Sequence, residues 1–148
     1  MITEEIETDK MCLFCASDYH LEMILLPYIK ERLNNSNFII FTESDLTKSL
    51  DVLLSKINLD DETKNRIRCL DWTNEDKFEE LQKNMNINKE LSIIINGETK
   101  YINEVNKKIK SVDGKSVNII DCFHVGDFDV NIEEISKKYR YVLNTQKI

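Results

Sequence analysis

Short apolar runs alternate with longer amphipathic segments along the chain. The first run, Met11–Cys15, has almost no polar atoms, which is typical of a strand that is buried on both faces. A polar break at Ser17 and Asp18 follows, and the segment Tyr19–Leu33 then has its apolar residues at helical spacing. Either polar residue can cap this helix, because a short side-chain oxygen accepts from the free N–H groups of the first turn. The stretch therefore predicts a strand followed by a helix.

The same strand-and-helix unit recurs to the end of the chain. The later predicted strands are Phe38–Phe41, Ile67–Leu70, Leu91–Ile95 and Val117–Phe123. The later predicted helices are Leu46–Ile57, Glu75–Met85, Thr99–Val112 and Asn131–Asn144, with a loop and a helical turn predicted at Asn58–Asn65. Strands this apolar need helices on both faces, which a parallel sheet with crossover helices provides. After a polar lead-in of residues 1–9, residues 10–148 are therefore predicted to form one α/β domain, a three-layer sandwich with a five-stranded, mainly parallel sheet.

For the first and the last predicted helix, the sequence also predicts a local feature. Pro27, the only proline, lies inside the first helix and is predicted to kink it or split it, because proline removes one backbone hydrogen bond. The last helix is predicted to turn four residues toward the core, namely Ile132, Ile135, Tyr139 and Val142.

Composition and charge narrow the function classes. The chain has 148 residues, of which 41% are hydrophobic and 32% charged, so it is long enough and apolar enough for one folded domain. Its net charge of −7 argues against direct nucleic-acid binding through bulk charge, which needs a face dominated by Lys and Arg. No apolar run reaches the ~18 residues of a membrane span, and the acidic N-terminus lacks the layout of a signal peptide. These observations predict a cytoplasmic protein without a membrane partner.

The four cysteines are predicted to be reduced thiols. Cys15 ends the first predicted strand, and the other three lie inside predicted strands, at Cys12, Cys69 and Cys122. Cys12 and Cys15 have the C-x-x-C spacing of redox motifs, but the first cysteine of such a motif lies exposed at a helix N-terminus. Because they are three positions apart on a strand, their side chains point to opposite faces. A redox site is therefore not expected here.

Asp113-Gly114-Lys115-Ser116 contains the letters of a nucleotide-binding motif without its context. The phosphate-binding loop needs an upstream glycine, a preceding strand and a following helix. Here a helix is predicted before the motif and a strand after it, and the chain has only three glycines. The segment is therefore predicted to be a turn, and no nucleotide or other cofactor is expected.

Polar and reactive side chains are concentrated where the predicted strands end, which is where parallel α/β sheets bind ligands. These ends carry the residues Cys15, Ser17, Asp18, Thr42, Glu43, Ser44, Asp71, Trp72, Thr73, Asn96, Gly97, Glu98, Cys122, Phe123 and His124. His124 can titrate near neutral pH or bind a metal ion, whereas His20, in the first turn of a helix, is predicted to face solvent or to cap. Trp72 is either a core residue or a platform on which a ligand stacks.

A metal site is a further candidate at this edge. Cys15, Cys122 and His124 converge if the first and last predicted strands are neighbours. These three residues define the alternative function, a metal- or thiol-dependent enzyme. The competing interpretation is that the thiols are core residues that bind nothing. A third hypothesis is a pure interaction protein, in which the strand-end edge is closed and helix surfaces form a homodimer.

The opening stretch resembles the MEDS family, the sensory domains of methanogen and methylotroph regulators. Members begin with a strand of pattern H-x-C-x-F-Y, then a polar break, a helix with LLPFLKEGL-like sequence, and a second strand that runs into a Thr-Glu or Thr-Asp loop. The chain matches this order in Lys10–Cys15, Leu25–Leu33 and Phe38–Glu43. The likeness covers residues 10–57 and is looser at the last strand and helix. Lys10 replaces the family's histidine and Cys15 its tyrosine, which implies a changed ligand or activity if these positions contact the ligand.

The resemblance implies a function as well as a fold. Members are similar in fold to RecA-like ATPases but lack the phosphate-binding loop, and they sense small molecules, usually when fused to a DNA-binding or kinase module. The chain would then be a stand-alone sensory domain in signal transduction or transcriptional regulation, which binds a small molecule and relays to a regulatory protein partner. The residues expected to line the ligand are Cys12, Cys15, Ser17, Glu43, Trp72, Asn96 and His124, of which Cys12 is chosen by the family motif alone.

Overall fold

The computed structural model describes residues 8–70, 90–109 and 117–143. Its strands are β1 (Thr8–Cys15), β2 (Ser36–Thr42), β3 (Glu90–Asn96), β4 (Val117–His124) and β5 (Tyr141–Val142). The helices that the structure describes are α1 (Asp18–Arg32), α2 (Thr47–Lys56), α3 (Asp61–Arg68), α4 (Thr99–Ile109) and α5 (Ile132–Ser136). Four of the five predicted strands are confirmed, with bounds that differ by at most three residues at either end.

All neighbouring strands pair in parallel, in the order β2-β3-β4-β1-β5. Thr42 of β2 lies opposite Asn96 of β3 in this register, and Cys15 of β1 lies opposite His124 of β4. The carboxyl ends of four strands therefore meet at one edge of the sheet. The predicted parallel sheet is confirmed.

Helices cover the sheet on both faces, as the apolar strands require. Helices α1, α2 and α3 pack on one face against a core that includes Leu13, Cys15 and Ile94. Helix α4 packs on the other face against a second core that includes Cys12 and Ile95, and part of the segment around α5 joins it. Side chains alternate between the two cores along β1–β4, because successive residues of a strand point to opposite faces. The three-layer α/β sandwich is thereby confirmed, as is the opposite orientation of the two cysteines.

Helix α1 begins at a side-chain cap and continues without a break through Pro27. The Ser17 hydroxyl accepts from the backbone N–H of His20 at 3.1 Å, and the His20 ring Nδ1 accepts from the backbone N–H of Ala16 at 3.0 Å. The predicted capping roles of Ser17 and His20 are therefore confirmed. The helix is not split at Pro27, and the residues on either side of it, Leu26 and Tyr28, are both buried. The kink stays a prediction.

The predicted strand Ile67–Leu70 is wrong, because α3 extends to Arg68 and Cys69 is its C-cap. The Asp60 carboxylate caps this helix by accepting from the N–H of Thr63 at 2.7 Å. Acidic residues in the first turn and basic residues in the last turn match the helix dipole, and these local signals outweigh a short apolar run. Cys69 is consequently exposed rather than buried in a strand, and the predicted loop Asn58–Asn65 contains the start of α3.

The predicted helix Asn131–Asn144 is too long. Helix α5 ends at Ser136, and β5 then pairs with Met11 and Cys12 of β1, while the N–H of Leu143 donates to the carbonyl of Cys12 at 2.8 Å. Aromatic and β-branched residues favour a strand where an unpaired strand side is available. Of the four residues predicted to face inward, Ile135 and Tyr139 pack against the second core, whereas Ile132 and Val142 are exposed.

Several predictions fall outside the described residues, namely Trp72, the helix Glu75–Met85 and the turn Asp113–Ser116. The predicted helix at Thr99–Val112 is confirmed as far as Ile109, the last residue that the structure describes in this segment. None of the described helices has the length and apolar character needed to cross a membrane.

Candidate functional site

Four side chains from four neighbouring strands form a hydrogen-bonded row at the carboxyl edge of the sheet. Asn96 Nδ2 donates to Thr42 Oγ1 at 2.9 Å, and Asn96 Oδ1 lies 2.7 Å from His124 Nε2. His124 Nδ1 in turn lies 3.5 Å from Cys15 Sγ. We call these four residues the strand-end row. Each follows, two positions later, a residue of the core under α1–α3, so all four side chains point to the same face.

The direction of donation along the strand-end row follows from its far end. The Thr42 hydroxyl donates to the Ser44 carbonyl at 2.7 Å, so its oxygen accepts from the Asn96 amide nitrogen. The Asn96 carbonyl oxygen then faces His124, and an amide carbonyl oxygen can only accept, so the proton of the neutral imidazole is on Nε2. His124 Nδ1 is therefore an acceptor, and the Cys15 thiol donates either to it or to the Phe123 carbonyl at 3.6 Å.

Burial keeps the thiol of this row in its protonated form. Cys15 and Thr42 are fully buried, Asn96 is 1% exposed, and His124 is partly exposed. Burial raises the pKa of the Cys15 thiol to about 12, and the nearby carboxylates of Asp18 and Asp127 contribute to the increase. A thiolate is the reactive form of cysteine, so Cys15 is not an activated nucleophile in this structure.

The chain leaves the edge in opposite directions after β1 and β4. After β1 it enters α1 on one face, and after β4 it runs through Val125–Val130 to α5 on the other face. The two loops touch, since the N–H of Val125 donates to the carbonyl of Cys15 at 2.9 Å. Parallel sheets bind ligands at such a point, in the crevice between loops that diverge. Phe128 in the second loop is fully exposed, and Val125 is 41% exposed.

Glu43 lies at the same edge and holds the start of α4. Its Oε1 accepts from the backbone N–H of Glu98 at 2.6 Å, where the positive end of the helix dipole favours a carboxylate. Gly97 makes this contact possible, because a Cβ there would lie 2.5 Å from Glu43 Oε1 and 2.7 Å from Tyr101 Cδ2. The loop after β3 is therefore fixed to the loop after β2.

Replacing Gly97 by alanine is expected to lower the free energy of unfolding by about 1–3 kcal/mol, because the new methyl group displaces the Glu43 carboxylate and the Tyr101 ring. Urea unfolding followed by circular dichroism measures the change. Gly126→Ala is the matched control, since a Cβ at Gly126 meets nothing within 4 Å. Equal stability of the two variants would show that the contact between Glu43 and Gly97 has no energetic weight.

The structure brings together most, but not all, of the predicted ligand-lining residues. Cys15, Asn96 and His124 are joined directly, and Ser17 and Glu43 stand at the same edge. Cys12 is separate from this group, because it is buried in the core on the opposite face, where burial and Asp121 raise the pKa of its thiol to about 11. Its selection by motif alone is therefore not supported by the placement of its side chain.

The candidate metal ligands do not form a metal site in the described part of the chain. Among residues 8–70, 90–109 and 117–143, no group of three or more His, Cys, Asp or Glu side chains is arranged to hold a metal ion. Cys122 is fully buried, and its Sγ lies 3.9 Å from the carbonyl of Ile120. Burial raises the pKa of this thiol well above its usual value.

A buried carboxylate on the other face was missed by the sequence analysis. Asp121 of β4 is fully buried and accepts from Tyr139 Oη at 2.5 Å and from Asn106 Nδ2 at 3.0 Å, and Lys10 Nζ lies 3.3 Å from it. We call these four residues the Asp121 cluster. Burial and the neighbouring carboxylate raise the pKa of Tyr139 above its usual value. An acidic residue inside the apolar run VNIIDCFH was the available signal.

A second buried carboxylate lies between α1 and α2. Glu22 is fully buried, and its Oε2 accepts from the Ser49 hydroxyl at 2.5 Å, while Oε1 has no hydrogen-bond partner among the described residues. Burial raises the pKa of Glu22 to about 7, with a smaller increase from Asp18 and an opposing effect of the Ser49 hydrogen bond. Glu22 is therefore a titratable group in the middle of a helix interface.

The Asp121 cluster and Glu22 belong to the scaffold, which leaves the strand-end row and its two loops as the candidate site. The expected likeness to the MEDS family and to RecA-like folds stays a prediction that depends on residues 10–57. No protein-family model matches the chain, and neither the curated proteins nor the solved structures include a significant match to it.

Proposed function

We propose that the chain is a sensory domain that binds a small molecule at the carboxyl edge of its sheet, between the loops that follow β1 and β4. The observation that carries this proposal is the strand-end row, which fixes the ring and the tautomer of His124 where the two loops diverge. A side chain held by buried partners offers a preorganised surface, because little conformational entropy is lost when a ligand binds to it.

The groups around His124 indicate how a ligand is held. The carboxylates of Asp18 and Asp127 lie near Cys15, and the exposed side chains of Val125 and Phe128 follow β4 directly. A ligand placed here removes apolar surface from water while its polar atoms face the carboxylates and the imidazole edge. The loop Val125–Val130 leads into α5, so a change in this loop alters a surface that a regulatory protein partner can contact.

One observation favours the alternative, a thiol-dependent enzyme. Cys15, His124 and Asn96 are linked in the order thiol, imidazole and amide that some cysteine hydrolases use, in which the imidazole accepts the thiol proton and the amide orients the ring. Complete burial of Cys15 and a thiol pKa of about 12 argue against this function, because substrate cannot reach the sulfur and the thiolate is scarce. We therefore prefer the binding function.

Alkylation of the native chain by iodoacetamide at pH 7.5 separates the two functions, and Cys69 serves as an internal control. Cys69 is exposed and is expected to react, whereas Cys15, Cys12 and Cys122 are expected to stay unmodified until the chain is unfolded in urea. Peptide mass spectrometry identifies the modified sites. Reaction of Cys15 at a rate equal to or above that of Cys69 would contradict the binding function and favour the enzyme.

A thermal-shift screen of small metabolites, followed by NMR of the labelled chain, tests the binding function itself. Ligands that raise Tm are expected to shift the amide signals of Ser17–His20 and of Val125–Val130 most. Phe128→Ala is expected to weaken such ligands by about tenfold, since it removes an exposed aromatic contact without touching the core. Tyr141→Ala is the matched control, because this exposed aromatic lies beside Met11, far from the end of β1. Shifts confined to other surfaces would contradict the proposal.

A further inference from the structure

We infer that a second binding site, separate from the strand-end row, lies between the C-terminal half of α1 and the segment after α2, and that it takes a small amphipathic carboxylate. A cavity of about 620 Å³ opens there. Cavities of ~300–1,000 Å³ are the usual size of small-molecule sites. Pro27 in its lining is nine residues along α1 from Asp18, or about 14 Å, so the two sites share no residue.

The walls of this cavity are mainly apolar. They are formed by Leu26 and Pro27 of α1 and by Ile57 and Leu59 of the segment after α2. Leu26 is almost fully buried, while Ile57 and Leu59 pack only partly against the core, which leaves their remaining apolar surface facing the cavity. An alkyl or aryl group that enters here loses its contact with water, and this favours the apolar body of the ligand.

The polar groups at the rim select the head of the ligand. Glu31 also borders the cavity, but its side chain is 73% exposed and its carboxylate lies 3.6 Å from Arg32 Nη1, so water and this cation screen its charge. The Lys30 ammonium and the Asn58 amide remain, and both can donate hydrogen bonds. The charge of Lys30 acts on Asp60, but that carboxylate already caps α3 through Thr63, and no ion pair within 4 Å involves Lys30 among the described residues.

An anionic head that accepts hydrogen bonds fits this rim better than a neutral or cationic one. A carboxylate bound to an ammonium forms a charge-assisted hydrogen bond, which is stronger than a bond between neutral groups. The apolar walls and the cationic rim together specify an amphipathic carboxylate, such as a medium-chain fatty acid. Lys30 is thus the residue that distinguishes this ligand from an alcohol with the same apolar body.

Isothermal titration of the full chain with decanoate and with decanol tests this inference. Decanoate is expected to bind saturably with one site per chain, and decanol at least about fivefold more weakly. Lys30→Met is expected to abolish the difference between the two probes. Lys100→Met, on the exposed face of α4 across the sheet, is the matched control and is expected to preserve the difference.

Filling the cavity tests its location. Ile57→Trp is expected to abolish the binding of both probes, with circular dichroism showing an intact fold, and Leu59→Phe is the second variant if Ile57→Trp does not fold. Phe128→Ala, which tests the strand-end site, is expected to leave decanoate binding unchanged, so the two proposals fail independently. The absence of saturable decanoate binding, or equal binding of decanoate and decanol by the unmodified chain, would overturn the inference. Unchanged binding in a folded cavity variant would do the same.

Discussion

Replacing Asp121 by alanine is expected to lower the free energy of unfolding by about 3–6 kcal/mol, because it removes two hydrogen bonds to a buried carboxylate, each of which contributes about 1.5–3 kcal/mol. Tyr139 Oη and Asn106 Nδ2 would lose their acceptor, and Lys10 would lose its counter-ion. Urea unfolding of the variant and the unmodified chain, followed by circular dichroism, measures the change.

Asp51→Ala is the matched control for this prediction. Asp51 also lies in an ion pair, 3.2 Å from Arg68 Nε, but both side chains are largely exposed. Surface pairs contribute about 0–1 kcal/mol, so the control is expected to change stability little. Equal losses in the two variants would mean that burial gives the Asp121 cluster no special weight.

Tyr139→Phe separates the hydrogen bond from the charge in the Asp121 cluster. It keeps the ring that packs edge-on against Phe123 at 6.2 Å and removes only the hydroxyl that Asp121 accepts from. The expected loss is about 1–3 kcal/mol, the usual weight of a hydrogen bond to a buried charged group. Because Tyr139 connects α5 to β5, amide exchange in Tyr141–Leu143 should accelerate in the same variant.

Replacing Glu22 by glutamine is expected to remove most of the pH dependence of stability between about pH 4.5 and 7. The pKa of Glu22 is about 7 in the folded chain, and that of an unfolded glutamate is about 4.3. Between these values the folded chain holds a proton that the unfolded chain has released, so stability is greatest at low pH and falls as the pH rises through 7. The total loss in the unmodified chain is about 3–4 kcal/mol, because each pKa unit between these two values corresponds to about 1.36 kcal/mol.

Above pH 7 the glutamine variant should therefore be the more stable protein, by about 3–4 kcal/mol, while near pH 4.5 the two should be equal. Urea unfolding at half-unit pH steps measures both profiles. Asp18 is the charged group that acts on Glu22, and Ser49 of α2 is its hydrogen-bond donor. Glu62→Gln, on the exposed side of α3, is the control that should retain the profile of the unmodified chain. If the Glu22→Gln variant also follows the pH profile of the unmodified chain, Glu22 titrates normally.

The sheet was predictable because its strands carry a signal that no helix shares. β1, β3 and β4 carry apolar side chains on both faces, and only a sheet covered on two sides buries such segments. The run Ile67–Leu70 was ambiguous, because four apolar or mixed residues fit a helix end as well as a strand. The final strand β5 has two residues and exists only because β1 offers it hydrogen-bond partners, which local sequence cannot reveal.

The candidate site was predictable in its members and not in its connections. Parallel strands place Cys15, Asn96 and His124 at one edge whatever their order, so topology alone selects them. The hydrogen bonds among them depend on β4 lying between β3 and β1, and strand order is set by long-range packing. The partners of Asp121 could not be predicted for the same reason. Lys10 is more than a hundred residues away along the chain, and Tyr139 is nearly twenty residues away.

The strand-end row restricts how this edge of the sheet can move. Thr42, Asn96, His124 and Cys15 cross-brace the tips of four strands, in addition to the backbone ladder beneath them. A displacement of one strand end is therefore expected to displace the other three, so the four ends move together. Independent movement is then expected in the loops that follow the strands, chiefly Val125–Val130, whose side chains are largely exposed.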